Sequence, residues 1–415
     1  MIKKIFVVVL VSITIMSYAQ EGTSSPYSFY GLGIQKFKGT VENRSMGGLS
    51  ILADSIHVNL QNPASFANLE LTTYAVGTSY RTFKLSNDAD EVSYGDNTSL
   101  DYLAIGIPAG KLFGLGFGVV PLTSVGYDLT SVDGDDELIF SGFGGVNKVF
   151  LSTGFKINEN LSIGLDLNYN FGTIEKETIL SVADIQYGTR EINNSVLSAF
   201  NLSFGLRYQD MISDKLEVSF SAVSIPSFDI DIENTRELAT VILSTTGTDS
   251  AIERTDVEVE DDEVKLPAEY KLAAGIGSPR HWFMGVEYNF VDSSEFENLT
   301  AFQNNAEYKD ASKYRIGGYF IPKYNSLTSY FSRAVYRAGF RYEETGLSVN
   351  DTSIDEFGIS FGVGLPVGRL FSNANIGLEY GQRGTIDSGL VRESFFNVSI
   401  GLSLNDKWFR KIKFN

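Results

Sequence analysis

Fourteen short stretches of this chain alternate apolar with small or polar residues, and the connections between them alternate in length. The clearest stretch runs from Phe395 to Leu404. Phe396, Val398, Ile400, Leu402 and Leu404 fall on one face, and Asn397, Ser399, Gly401 and Ser403 fall on the other. The side chains of a strand alternate faces with a period of two. The same pattern sets Ile163, Leu165, Leu167, Tyr169 and Phe171 against Gly164, Asp166, Asn168 and Asn170. It also sets Phe113, Leu115, Phe117 and Val119 against Gly114, Gly116 and Gly118, and Phe357, Ile359, Phe361, Val363 and Leu365 against Gly358, Ser360, Gly362 and Gly364. A greasy face backed by a small, wet one suits a barrel in a bilayer, whose outside meets hydrocarbon and whose lumen meets water.

The alternation predicts strands at about 71–83, 99–108, 112–122, 148–157, 161–173, 196–209, 214–225, 268–277, 281–290, 312–321, 333–342, 355–366, 372–382 and 393–404. Connections after even-numbered strands are tight. Ala109-Gly110-Lys111, Asn158-Glu159-Asn160 and Ser278-Pro279-Arg280 carry turn chemistry, and 322–332 is the one longer exception. Connections after odd-numbered strands are long, the largest being 123–147, 174–195, 226–267 and 291–311. Short turns at one end and long loops at the other are the outer-membrane arrangement. It places both termini in the periplasm, which requires an even strand count. The fold expected is all-β: a transmembrane antiparallel β-barrel of about 14 strands over residues 71–404.

The 415 residues give one large barrel enough chain. After the first twenty residues no run is long and apolar enough for a membrane helix, so a closed barrel is the remaining way to span. At the start, Lys3 and Lys4 precede an apolar run from Ile5 to Ile15, and Ser17-Tyr18-Ala19 offers a small-x-small cleavage site. This reads as a signal peptide over residues 1–19 that leaves Gln20 first. The chain has no Cys, which excludes disulfides, thiolate metal sites and a lipid anchor on an N-terminal Cys. The net charge of −18 argues against nucleic acid as a partner. Much of the acid sits in the long loops, above all Asp249 to Glu263. That run reads either as a solvated, mobile loop or as a cation site against lipopolysaccharide.

Residues 20–70 do not read as strands, because Gly, Ser, Asn and Pro break them up. A fourteen-stranded barrel has a lumen wider than its own wall side chains fill. An N-terminal hatch folded into that lumen is the economical place for this segment, with a periplasmic tail as the alternative. Residues 405–415, with Trp408, Phe409, Arg410, Lys411 and Lys413, follow the last strand and read as a short amphipathic periplasmic tail. Many outer-membrane barrels end instead on an aromatic residue that the barrel-assembly machinery recognises.

Within that N-terminal segment, Arg44-Ser45-Met46-Gly47-Gly48, then Asp54-Ser55, then Asn62-Pro63-Ala64-Ser65, resembles the hatch of the FadL/TodX family of outer-membrane transporters for long-chain fatty acids and hydrocarbons. Leu266-Pro267-Ala268, followed by Gly275, Gly277 and the aromatic stretch Trp282 to Phe290, is similar to a second element of that family. The extended tail departs from the pattern. The resemblance implies a Gram-negative outer-membrane location. It also implies a hydrophobic, fatty acid-like small molecule that enters through the outer loops, binds beside the hatch and leaves sideways through the wall. Outer-membrane lipid, lipopolysaccharide and the barrel-assembly machinery would be its other partners. The same family includes a component of a protein secretion system, so a non-transporting barrel partnered with a secretion channel is the alternative.

On this reading Gly47, Gly48, Asp54, Ser55, Asn62, Pro63 and Ala64 are hatch or gate residues. Each also has a purely structural account. Gly47 and Gly48 permit tight backbone in a crowded lumen. Asn62 before Pro63 is biased to an extended conformation and caps a turn. Asp54 has backbone N–H groups, Arg207 or Arg341 as candidate donors. The candidate lateral-exit strand is the third, where Gly114, Gly116 and Gly118 weaken the wall and Pro121 withholds a ladder hydrogen bond. Alternatively these glycines make room for the hatch. No catalytic motif, cofactor loop or metal-ligand cluster stands out, so the expectation is a non-enzyme without cofactor or metal. The two histidines, His57 and His281, lie in the hatch and at a periplasmic turn, with no nucleophile pattern beside them.

Overall fold

The computed structural model describes residues 23–242, 250–293, 305–368 and 372–407. The expected signal peptide and most of the expected tail lie outside the described residues. In chain order the strands are β1 (Ile34–Gln35), β2 (Thr72–Ser86), β3 (Val92–Pro108), β4 (Phe113–Pro121), β5 (Thr123–Asp133), β6 (Asp136–Lys156), β7 (Leu161–Ser181), β8 (Gly188–Ser213), β9 (Leu216–Ile225) and β10 (Phe228–Ile242). They continue as β11 (Ser250–Val257), β12 (Asp262–Leu266), β13 (Ala268–Ser278), β14 (Trp282–Asp292), β15 (Ala306–Tyr308), β16 (Ala311–Phe320), β17 (Val335–Val349), β18 (Thr352–Pro366), β19 (Asn373–Arg383) and β20 (Arg392–Asp406).

Every pairing is antiparallel, and β2 closes on β20 from Thr72↔Asp406 to Ser86↔Arg392. The wall holds fourteen strands: β1 belongs to the N-terminal segment, and several wall strands are interrupted, most of them at proline. β4 and β5 form one wall strand interrupted after Pro121, β9 and β10 one interrupted at Pro226, β11, β12 and β13 one interrupted at 258–261 and at Pro267, and β15 and β16 one interrupted at 309–310. Proline has no N–H to give the ladder, so a strand that contains one bends or bulges there.

The facing follows the alternation. Ile163, Leu165, Leu167, Tyr169 and Phe171 are exposed on the outside, whereas Ser162, Asp166, Asn168 and Asn170 are buried on the lumen side. Tyr80, Phe396, Ile400, Ile376, Leu378 and Tyr380 continue the outer apolar band. Among the described residues no helix is long and apolar enough to cross a membrane, and the crossing is made by strands.

Two expectations are corrected. The stretches 123–147 and 174–195, read as loops, are largely strand: β6 pairs β7 over twenty positions, from Glu137↔Ser181 to Lys156↔Ser162. Beyond the lipid band the outer faces no longer need to be greasy, so the alternation fades while the backbone ladder continues. The acidic run from Asp249 to Glu263 is not a free loop either. Ser250–Val257 pairs with β10 in register Arg236↔Val257 to Ile242↔Ser250, and Asp262–Leu266 pairs with Phe228–Ile232. Beside it, Arg190 and Arg254 pair with Glu237 of β10, and Arg236 pairs with Glu191 of β8. Among the described residues no acidic cluster has the geometry of a cation site.

This extracellular sheet curls over a core of Val125, Tyr127, Val146, Ile174, Leu197, Ile230 and Val264, and Leu32 from the N-terminal segment packs into it.

Candidate functional site

Residues 23–71 pack against the lumen face of the wall. A short helix, Val41–Arg44, is set by Thr40 and Asn43, whose side chains each bond the other's backbone. Asn62 starts a 3-10 turn over Pro63–Asn68 by accepting from the Ala64 amide at 3.0 Å, and Pro63 sits where no N–H is needed. Asn62 also donates to the Leu206 carbonyl on the wall at 3.3 Å.

Wall glycines let these turns approach closely. A Cβ on Gly164 would stand 2.2 Å from the Ala64 nitrogen, and one on Gly154 would stand 2.4 Å from that of Ala67. On the third wall strand, a Cβ on Gly114 would meet the Phe66 carbonyl at 1.9 Å, and one on Gly116 would meet the Phe66 ring at 2.1 Å. Gly118 faces neighbouring wall atoms instead, the Leu103 carbonyl at 2.4 Å. On the opposite side Gly47 and Gly48 adopt φ of 69° and 89°, which side-chain-bearing residues rarely take. There the Gly47 amide donates to Ser360 Oγ at 3.0 Å.

Asp54 lies at the periplasmic mouth. Its carboxylate accepts from the Ile56 and His57 amides at 2.8 and 2.7 Å and contacts His57 Nδ1 at 2.5 Å. It bonds neither Arg207 nor Arg341. Arg207 instead reaches the Ala53 carbonyl at 3.4 Å, and Arg341 lies in the wall network described below. The surrounding barrel partly desolvates the Asp54–His57 pair, which works against charge on both members even though the Asp54 side chain is half exposed. Their mutual attraction more than offsets it, which lowers the carboxyl pKa and raises that of the imidazole. Ser55 contributes its carbonyl to the Glu70 amide at 3.0 Å. His281 sits at its turn, its Nδ1 3.0 Å from the Ile321 carbonyl oxygen.

Above the segment the lumen is crossed by ion pairs that no single stretch of sequence reveals. Arg315 bonds Glu287 at 3.0 Å and the Gly48 carbonyl at 2.9 Å, tying wall to segment. Arg44 reaches Glu379 and Asp101, each at 3.6 Å. Arg341 holds Glu379 at 2.8 Å and pairs with Glu356, which also pairs with Arg383. Arg341 and Glu379 sit two wall strands apart, the other wall pairs join adjacent strands, and Arg44 comes from the short helix of the segment. Alternation marks each wall residue as lumen-facing, but only closure of the barrel brings them together.

Two adjoining cavities lie beside the segment in the lumen. The outer one, about 220 Å³, has apolar walls from Tyr30, Leu32, Leu122, Phe228, Leu266 and Val291, and a charged floor where Lys38, Lys148, Lys313 and Arg383 lie among Glu269, Glu343 and Glu356. Lys38 pairs with Glu269 at 3.4 Å and Lys313 with Glu343 at 3.5 Å. Lys148 has no ion-pair partner among the described residues. The inner cavity, about 90 Å³, is polar and is bordered by Ser79, Arg81, Ser99, Asp101 and Pro121. Gln35, Lys38 and Lys313 line both.

The wall beside the inner cavity is incomplete. β3 pairs β4 only from Leu103↔Val119 to Pro108↔Gly114. Outward of Leu103, β3 keeps β2 on one side and has no strand partner on the other among the described residues. The cause lies at Pro121. There the chain turns inward, and β5 pairs with β1, Ile34↔Ser124 and Gln35↔Thr123, instead of with β3. Gly144 and Gly145 of β6, at φ of 116° and 145°, accommodate the bend.

The comparisons with known proteins fit this architecture. The family model described as BamG matches residues 1–415. A search of the curated proteins finds no match. Among solved structures, the chain is similar to a Pseudomonas aeruginosa FadL homologue, with 12% identity over 91% of this chain and 100% of that one, at a TM-score of 0.54. It is likewise similar to the P. putida toluene transporter TodX, with 12% identity over 90% of this chain and 100% of that one, at a TM-score of 0.58. At such identity the likeness is one of fold.

Proposed function

The chain belongs to the BamG family, and from that premise we propose that it is a Gram-negative outer-membrane barrel that takes up a hydrophobic compound bearing an anionic head group. The compound enters from outside, seats in the outer cavity and leaves sideways past Pro121 through the opening beside β3. Residues 20–70 act as the hatch that keeps this route from becoming a straight aqueous channel.

The observation that carries the reading is the outer cavity itself. Its apolar walls suit a hydrocarbon chain, and unpaired Lys148 on its floor suits a carboxylate. Lys148 is half-buried and has only the more distant Asp166 and Glu269 carboxylates acting on it, so an anionic head group there would gain a direct charge-assisted contact that the protein does not supply. Gly47, Gly48, Asn62, Pro63 and Ala64 hold the hatch against the wall, and Asp54 and Ser55 shape its periplasmic face. Gly114 and Gly116 serve hatch packing, and Pro121 creates the opening.

The test is binding of a fluorescent long-chain fatty acid to the detergent-purified protein. Lys148→Ala should weaken it about tenfold, the effect of one lost charge-assisted contact. No saturable binding by the parent, or equal binding by the variant, sinks the reading.

The family name and the ion pairs favour a second reading. BamG points to barrel assembly, and Arg315, Arg341 and Arg383 close much of the lumen with their carboxylates. On this reading the barrel carries nothing and serves as a fixed partner of the assembly machinery, or of a secretion channel. Stoichiometric copurification with such a partner, without ligand binding, would decide for it.

A further inference from the structure

The one long turn at the periplasmic end, between β16 and β17, carries side chains that a turn of this kind does not need. Leu327 is 101% exposed and Phe331 is 69% exposed, with Tyr324 and Tyr330 half-exposed beside them. The turn is nevertheless well tied. The Lys323 amide donates to the Ser332 carbonyl at 2.8 Å, and the Ile321 amide to the His281 carbonyl at 2.7 Å. Tyr330 Oη donates to the Pro366 carbonyl at 2.9 Å, so the turn reaches along the rim from the β13–β14 turn to the end of β18. Tyr336, on the lipid-facing side of β17, donates its phenol to the Phe331 carbonyl at 3.1 Å. That bond places Phe331 against the outer, lipid-facing surface rather than under the lumen.

The charges on these two neighbouring turns are of one sign. Residues 321–334 hold Lys323 and Arg333 and no acid, and the neighbouring turn supplies Arg280, again with no acid over 278–282. Arg280 stacks over Tyr324 at 5.3 Å and Arg333 over Tyr330 at 5.5 Å. In a chain of net charge −18, a patch with three cations and no carboxylate stands apart. Aromatic rings at the headgroup level with cations beside them match the polar boundary of a leaflet. The patch is also continuous with the apolar outer band through Phe320 and Tyr336.

We propose that the 321–334 turn, with Arg280, is a binding site for anionic phospholipid of the inner leaflet of the outer membrane. Leu327 and Phe331 enter the acyl boundary, and Arg280, Lys323 and Arg333 hold the phosphate groups. The site is independent of whether the lumen cavity carries a ligand.

The test measures lipids retained by the full-length protein taken from nanodiscs of phosphatidylethanolamine and phosphatidylglycerol in equal amounts. The parent should enrich phosphatidylglycerol about fivefold, the scale of one basic residue near an anionic surface. The triple variant Arg280→Gln, Lys323→Gln, Arg333→Gln should bring the ratio to parity, and Leu327→Ser with Phe331→Ser should lower total retained lipid. Heat-modifiable gel mobility confirms that each barrel has folded. No enrichment by the parent, or enrichment unchanged in the triple variant, overturns the proposal. So does loss of a stoichiometric protein partner from the Leu327→Ser, Phe331→Ser variant with lipid retention unchanged, which would assign the surface to protein docking.

Discussion

A Cβ on Gly339 would stand 2.0 Å from the amide nitrogen of Gly47. These glycines are far apart in the chain, one on the wall and one in the N-terminal segment, and a Cβ on Gly47 would in turn stand 2.6 Å from the Phe340 carbonyl oxygen. Their approach makes the seating of the segment sensitive to a single wall atom.

Gly339→Val should therefore leave the wall strands paired and displace the segment. Entry of small hydrophilic antibiotics into cells making the variant should rise, and planar-bilayer recordings should show conductance that the parent lacks. Deleting 23–65 should give the same phenotype. Unchanged permeability at normal barrel levels in both variants would show that the segment does not close the lumen.

The facing of β20 sets a second expectation. Ile400 is 46% exposed within the apolar band, so Ile400→Arg should cost about 2–4 kcal/mol of stability in a bilayer. Tyr94, 76% exposed on the far outer end of β3, lies beyond that band, and Tyr94→Arg should cost about 0–1 kcal/mol. Urea refolding into liposomes reads both. Equal losses would mean that the band has been placed wrongly along the strands.

The Asp54–His57 pair predicts a pH dependence at the periplasmic mouth. The pKa of His57 is raised by its carboxylate partner against the opposing effect of burial. A group with a raised folded-state pKa contributes fully below its unfolded value, about 6.5, and loses that contribution as pH rises through the higher folded value. Amide protection around residues 54–57, after correction for the base catalysis of exchange itself, should accordingly fall as the pH is raised through neutrality. The lowered pKa of Asp54 places the opposite loss far below the physiological range. His57→Asn should remove the neutral-range transition. A transition that persists in His57→Asn would assign it to another group.

Much of this protein is local in origin. Alternation from Phe395 to Leu404 decides which side chains face lipid, because a strand's period of two needs no knowledge of its neighbours. Length parity of the connections decides which end is which. Asn62-Pro63 announces its own turn, since the cap and the missing N–H both act within a few residues. The greasy alternation stops where lipid stops, so it could not show that β6 and β7 continue as an extracellular sheet. Backbone hydrogen bonding is indifferent to which side chains it carries.

What only the tertiary structure decided is held by pairs far apart in the chain. Lys148 and Leu266 share a cavity, Arg341 meets Glu379, and Gly116 makes way for Phe66, because closure of the barrel sets their distances. Pro121 marks a possible break in any single strand. The inward pairing of Thr123 and Ser124 with Gln35 and Ile34 turns that break into an opening beside β3. Facing is set by periodicity along one strand, and the sequence carries it whole. Proximity across the lumen depends on register, closure and the path of the N-terminal segment, and those are properties of all fourteen strands together.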